Sequence, residues 1–108
     1  MSAQLQFRFK ADESFDDIDP PRIEAALRGL DQIERFRIFD DRLSDATFVT
    51  LVVVLRTADV KELSALQTAL ASIPRVRAFA VNSSGGVTPL GGLPPDRLLQ
   101  VAASDVKL

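Results

Sequence analysis

Alternating and periodic patterns of apolar residues predict four strands along this chain. The apolar run Thr47–Leu55 (TFVTLVVVL) is rich in β-branched residues, which is typical of a strand buried on both faces. Strict alternation of apolar and polar residues at Gln4–Lys10 and at Ile33–Phe39 predicts two strands that each bury one face. Arg75–Val81 is predicted to be the fourth strand.

Two segments between these strands have apolar residues at helical spacing. Asp19 followed by Pro20 is a favourable helix start, and the apolar positions then continue to about Leu30. Asp59–Ile73 has a clean apolar stripe after an Asp-x-x-Glu start, and Pro74 ends it. The predicted order is therefore strand, helix, strand, strand, helix, strand.

This order predicts an α+β fold, with a four-stranded antiparallel sheet and two helices on one of its faces. The ferredoxin-like strand order 4-1-3-2 keeps both crossovers right-handed and places Thr47–Leu55 inside the sheet. We assign residues 1–82 to this domain. Residues 83–108 have the composition of a Gly/Pro-rich linker and a short C-terminal helix from Pro94, which either folds back or docks on another chain.

The composition removes several kinds of chemistry. The 108 residues include no cysteine and no histidine, which excludes thiolate catalysis and the commonest general base. No glycine-rich phosphate loop follows the first strand, so neither a cofactor nor enzymatic activity is predicted. The N-terminus has no apolar signal core and no run could span a bilayer, so we expect a cytoplasmic protein.

The sheet face away from the helices is predicted to be basic with an apolar stripe through its centre. An apolar stripe of this kind is rarely left in water, so we expect the C-terminal helix or a second subunit to cover it. Nucleic acid is not the expected partner, because the net charge is −2 and the matching positions of the central strands carry no aromatic residue. The predicted interaction face consists of Arg8, Arg35, Arg37, Val52, Val54 and Arg56.

Carboxylates are concentrated in the loops at one end of the predicted sheet. Carboxylate oxygens are the ligands that Ca²⁺ and Mg²⁺ prefer, although the spacing here matches no Ca²⁺-binding loop. In the alternative interpretation, Asp19 caps its helix and the other acids are solvated loop charges. The candidate ligands for a cation or a small molecule are Asp12, Asp16, Asp17, Asp19, Asp40 and Asp41.

The segment Val60–Val81 (VKELSALQTALASIPRVRAFAV) resembles the second half of an ACT-type regulatory domain, one of the ferredoxin-like folds. Such domains end in an amphipathic helix, a short turn of the form Ile-Pro-x-Val and a last strand, and Ile73, Pro74 and Val76 fit that turn. The resemblance implies a regulatory domain that pairs with a second copy and binds a small-molecule effector.

We therefore expect a non-catalytic protein-interaction module that forms a homodimer or docks on a partner protein. The alternative is a small-molecule or divalent-cation sensor that uses the acidic loop end.

Overall fold

In the part of the chain that the structure describes, the fold is α+β, with a five-stranded antiparallel sheet and three α-helices. The structure is a computed structural model that describes residues 3–11, 20–40, 48–57 and 59–104. Within these ranges no helix is long and apolar enough to cross a membrane. The elements in chain order are β1 (Ala3–Ala11), α1 (Pro20–Leu27), β2 (Ile33–Asp40), β3 (Phe48–Leu55), α2 (Val60–Ala71), β4 (Val76–Val81), β5 (Val87–Pro89), a 3-10 turn (Pro95–Arg97) and α3 (Leu98–Val101).

The strands lie in the order β2-β3-β1-β4-β5. The first four strands have the predicted order, and β3 lies inside the sheet, as its apolar composition indicates. The prediction of a four-stranded sheet is wrong by one strand, because β5 pairs with the outer edge of β4, with Val87 opposite Val81. This additional strand lies in the segment whose composition predicts a linker.

A tight turn at Asn82–Gly86 explains why this glycine- and serine-rich segment forms a hairpin. The Asn82 side-chain oxygen accepts hydrogen bonds from the backbone N–H groups of Ser84 at 3.0 Å and Gly86 at 2.8 Å. Gly85 has a φ of +90°, which favours glycine, and a Cβ at Gly86 would lie 2.8 Å from the Asn82 side chain. These residues therefore have specific roles in the turn, whereas composition alone suggests flexibility.

The hydrophobic core lies between the helices and one face of the sheet. Helix α2 begins after Asp59, whose carboxylate accepts a hydrogen bond from the Lys61 N–H at 3.0 Å, as its start pattern predicts. Alternate residues of the two inner strands form the sheet side of the core: Leu5, Phe7 and Phe9 of β1, and Val49, Leu51, Val53 and Leu55 of β3. The two longer helices contribute Ile23, Leu27, Leu63, Leu66 and Leu70.

The C-terminal segment packs on its own chain, on the helix side of the sheet. Leu98 and Ala102 are both fully buried and belong to the same core cluster as the helix residues. Beyond α3, the backbone joins β1, because the Gln6 N–H donates to the Ala102 carbonyl at 2.8 Å and the Ser104 N–H donates to the Gln4 carbonyl at 3.1 Å. The predicted short helix is thus present, but the prediction that it covers the opposite sheet face is wrong.

Candidate interaction face

The sheet face opposite the helices is called the open face here. The β-sheet register places Arg8 of β1 beside Thr50 of β3 and Phe79 of β4, and it places Thr50 beside Phe39 of β2. Side chains alternate between the two faces of a strand, so these residues lie opposite the helix-side core. The open face therefore spans at least four adjacent strands.

The apolar stripe of the open face is already covered within the single chain. Val52 is completely buried, and the exposed fraction of Val54 is only 6%, although neither belongs to the helix-side core cluster. Val52 lies between Gln6 and Arg37 in the register, and long side chains of this kind can shield apolar neighbours while their polar ends stay in water. The expectation that a helix or a subunit must cover this stripe is wrong, and the two valines are not accessible to a partner.

Several exposed residues of the open face are cationic. Lys10, Arg35 and Arg37 are exposed, and no described carboxylate lies within ion-pair distance of any of the three. Arg8 is half-buried at the centre of the face. Arg56, also predicted to lie here, directly follows β3 and is exposed, with its backbone N–H donating to the Gln32 carbonyl at 2.8 Å.

Two arginines of this face lie over phenylalanine rings. The Arg8 guanidinium carbon is 4.0 Å from the centroid of the Phe48 ring, and that of Arg37 is 4.9 Å from the centroid of the Phe39 ring. Both distances are within the range of cation–π contacts. The Nε of Arg8 is buried and has no hydrogen-bond partner among the described residues, so the ring holds this guanidinium in place without a carboxylate.

The phenylalanines of the open face are candidate site residues that the sequence prediction did not name. Phe39, Phe48 and Phe79 all lie on this face, and each is partly exposed. The matching positions of the inner strands, Gln6, Arg8, Thr50 and Val52, carry no aromatic residue, as expected. Phe48, the first residue of β3, lies beyond them and adds one aromatic ring to the end of this face. The signal for Phe48 and Phe39 was present in the alternation, since each is two residues from an open-face position, Thr50 and Arg37.

Most described carboxylates lie away from this face. Glu34 is at the bulge of β2, where the pairing with β3 shifts between Ile33 and Arg35. The other acids with described side chains lie in helices or in the connections to them: Glu24, Asp31, Asp59, Glu62 and Asp96. Among the described side chains, the open face therefore carries more cations than carboxylates.

The predicted acidic ligand site falls almost entirely outside the described residues. Asp12, Asp16, Asp17, Asp19 and Asp41 lie there, and Asp40 is described only as the last residue of β2. In the ranges that are described, no group of three or more His, Cys, Asp or Glu side chains could hold a metal ion. The cation site therefore stays a prediction.

Two shallow cavities occur on the described surface, and neither resembles a polar ligand site. One, of about 350 Å³, lies where β4 begins and β5 ends. It is lined by residues that include Arg77, Phe79 and Pro89. The other, of about 340 Å³, lies between α1 and the end of α2 and is lined by three alanines together with Arg22, Ser72, Ile73 and Pro74. A specific small-molecule site needs several convergent polar groups, which neither lining provides.

Comparisons with known proteins support the fold alone. No protein family model matches this chain, and no curated protein does. The structure of an uncharacterized protein from Thermotoga maritima is similar, with a TM-score of 0.51 and 18% sequence identity, and the match covers 75% of this chain and 96% of that chain. At this level of identity the match shows a shared fold.

Proposed function

We propose that this protein is a non-catalytic interaction module of ferredoxin-like, ACT-like architecture, which docks an anionic partner on its open face. One observation carries the proposal: Lys10, Arg35 and Arg37 are exposed on one sheet face without a described carboxylate in ion-pair distance. Clustered charges of one sign raise the local concentration of oppositely charged partners and increase association rates. The cluster therefore supports binding of an anion in spite of the net charge of −2.

The same charges disfavour a second copy of the chain on the open face. A face-to-face pairing related by a two-fold axis would bring Arg8, Arg35 and Arg37 towards the same residues of the other copy, and like charges across an interface are unfavourable. The homodimer implied by the ACT resemblance would instead use the edge strand β2. No described strand pairs with its outer edge, and Phe36 in this strand is 37% exposed.

The alternative function, a regulatory sensor of a small molecule or a divalent cation, depends on the acidic loop end. Of its six candidate ligands, only the backbone of Asp40 is described. We therefore keep the interaction module as the main proposal, because its surface is formed by described residues.

Retention on a heparin column tests the anionic partner. At low ionic strength, where screening is weakest, we expect the wild-type protein to be retained although its net charge is negative. The triple variant Lys10→Gln, Arg35→Gln and Arg37→Gln should elute at much lower salt, because it loses three exposed cations of the open face and keeps only Arg77 among the exposed cations of its strands. Gradient elution with salt measures the difference.

The matched control removes three exposed cations from the turn after α1, from α2 and from the 3-10 turn, as Arg28→Gln, Lys61→Gln and Arg97→Gln. Both triple variants have the same net charge, so they differ only in where the charge is lost. The control should elute close to the wild type. Equal loss of retention in the two variants, or no retention of the wild type, would refute the proposal.

A further inference from the structure

We infer that the anionic partner is a single-stranded nucleic acid, bound across β4, β1, β3 and β2 with its bases against the open-face phenylalanines. The inference rests on the proposed function and adds the chemical class of the partner. Its basis is the juxtaposition of cations with Phe39, Phe48 and Phe79 on one face.

Rings and cations lie close together in and beside one row across the face. The register aligns Phe79 on β4 and Arg8 on β1 with Phe39 on β2 through Thr50 of β3. The Phe48 ring, two residues along β3 from Thr50, lies 4.0 Å from the Arg8 guanidinium carbon, and Arg37 lies over Phe39. Three strand spacings separate β4 from β2, so the row crosses about 14 Å of the sheet. Sheet surfaces of this extent stack two or three bases of single-stranded RNA in other domains.

The two residue types suit the two parts of a nucleotide. Arginines and lysines attract the phosphates, while phenyl rings and guanidinium planes offer flat surfaces on which any base can stack. Because Arg8 and Arg37 already lie over Phe48 and Phe39, each pair presents a ring and a guanidinium together. Such pairs favour stacking without a requirement for a particular base.

An acidic protein is the competing occupant, and the face fits it less well. The valine stripe at the centre of the open face offers no site for an anchoring side chain, since Val52 is completely buried and Val54 almost so; the shallow cavity that includes Phe79 lies off centre, where β4 begins and β5 ends. Protein interfaces usually depend on an apolar anchor that fills a pocket. Partly exposed aromatic rings among cations instead favour a ligand that is both flat and charged.

The expectation against nucleic acid had two grounds. The first was the net charge, but most described carboxylates lie in or beside the helices. The second was that the matching positions of the inner strands carry no aromatic residue. That remains true, but Phe48 at the end of β3, with Phe39 and Phe79 on the outer strands, gives the face three rings at other positions.

Fluorescence anisotropy tests the inference with the full-length chain and a labelled oligothymidylate of about twelve nucleotides, within the usual site size. The comparison ligand is an abasic strand of equal length, which has the same phosphates and no bases. We expect the oligothymidylate to bind about tenfold more tightly than the abasic strand, the effect of roughly one stacked base. Arg37→Gln should weaken the binding of both strands.

Phenylalanine variants decide whether the bases contact the open face. Phe79→Leu should reduce the preference for oligothymidylate several-fold and leave the affinity for the abasic strand unchanged. Phe48→Leu is a second variant with the same expected result, and a melting curve identifies either variant that fails to fold. The control is Phe36→Leu, because Phe36 is exposed but is paired with Val53 on the helix-facing side of the sheet, and it should retain the full preference.

Equal affinity for the two strands would overturn the inference. It would also be overturned if poly-glutamate displaced the oligothymidylate as well as an unlabelled strand of equal charge, since the face would then bind an acidic protein. In either case retention on heparin would leave the proposed function standing. If the wild-type protein were not retained on heparin, the inference and the proposed function would both fail.

Discussion

Replacing Val53 with aspartate is expected to unfold the protein. Val53 is fully buried on the helix-facing side of β3, where it lies between Leu5 of β1 and Phe36 of β2 in the register. An unpaired carboxylate at this position loses its hydration and gains no described cation in return. The expected cost is roughly 3–5 kcal/mol or more, which is most of the stability of a small domain.

Urea denaturation followed by circular dichroism measures this loss. The matched control is Val60→Asp, the same substitution at a position that is 52% exposed in the first turn of α2. A carboxylate is favourable near the N-terminus of a helix, so the control should retain the wild-type midpoint. A Val53→Asp protein with a wild-type midpoint would show that β3 does not lie in the core as described.

Leu98→Ala is expected to have the second largest effect, because the C-terminal segment is part of the core. Leu98 is fully buried, and its segment is also held by Gln67, whose side-chain amide donates to the Leu90 carbonyl at 2.9 Å and to the Leu93 carbonyl at 2.7 Å. These bonds keep the chain in place around the leucine, so the site cannot collapse easily. The substitution should lower the free energy of unfolding by about 2–5 kcal/mol.

The control for this prediction is Gln100→Ala, a truncation of an exposed side chain in the same short helix. Its free energy of unfolding should stay within about 0.5 kcal/mol of the wild type. If Leu98→Ala is equally mild, the C-terminal segment does not contribute to the core. Truncation after Val81 should then also be tolerated, whereas the present structure predicts that it exposes the helix-side core and leads to aggregation.

The first four strands of the sheet could be predicted because the pattern of apolar and polar residues along a strand indicates which of its side chains are buried. The alternation at Gln4–Lys10 identified the inner and outer residues of β1, and the uninterrupted apolar run identified β3 as an inner strand. Helix α2 could be predicted from its stripe and from the Asp59 cap. In these elements the local pattern and the tertiary environment agree.

The C-terminal segment could not be predicted, because its structure depends on particular side chains and on distant partners. The hairpin before β5 needs the Asn82 side chain to accept two backbone N–H groups, while composition reports only small and polar residues. The sequence offers apolar residues on both faces of the sheet against which Leu98 could pack. Its membership of the helix-side core cluster shows which face it covers.

The candidate site could be predicted in part. Arg8, Arg35 and Arg37 lie on the open face as expected from the alternation. The prediction that Val52 and Val54 form part of the accessible interaction face was wrong, because both are buried. Their burial by long neighbouring side chains depends on the register between strands, which the sequence does not show directly. The open-face position of Phe79 likewise follows from its pairing with Arg8 in three dimensions.

Fluorine NMR of the protein labelled with 4-fluorophenylalanine tests the central claim, that the open face is the binding surface. Six of the seven phenylalanines lie in described strands and give separate probes of both sides of the sheet. Phe7 and Phe9, which are fully buried on the helix side, alternate with Arg8 on the same strand and are internal controls. Replacement of single phenylalanines by leucine assigns the resonances.

Titration with oligothymidylate or with a heparin oligosaccharide should shift the resonances of Phe39, Phe48 and Phe79. Those of Phe7 and Phe9 should stay in place, because their rings face the core on the other side of the sheet. A set of open-face resonances that does not respond to either polyanion, or a response confined to the two core phenylalanines, would contradict the assignment of the open face as the binding surface.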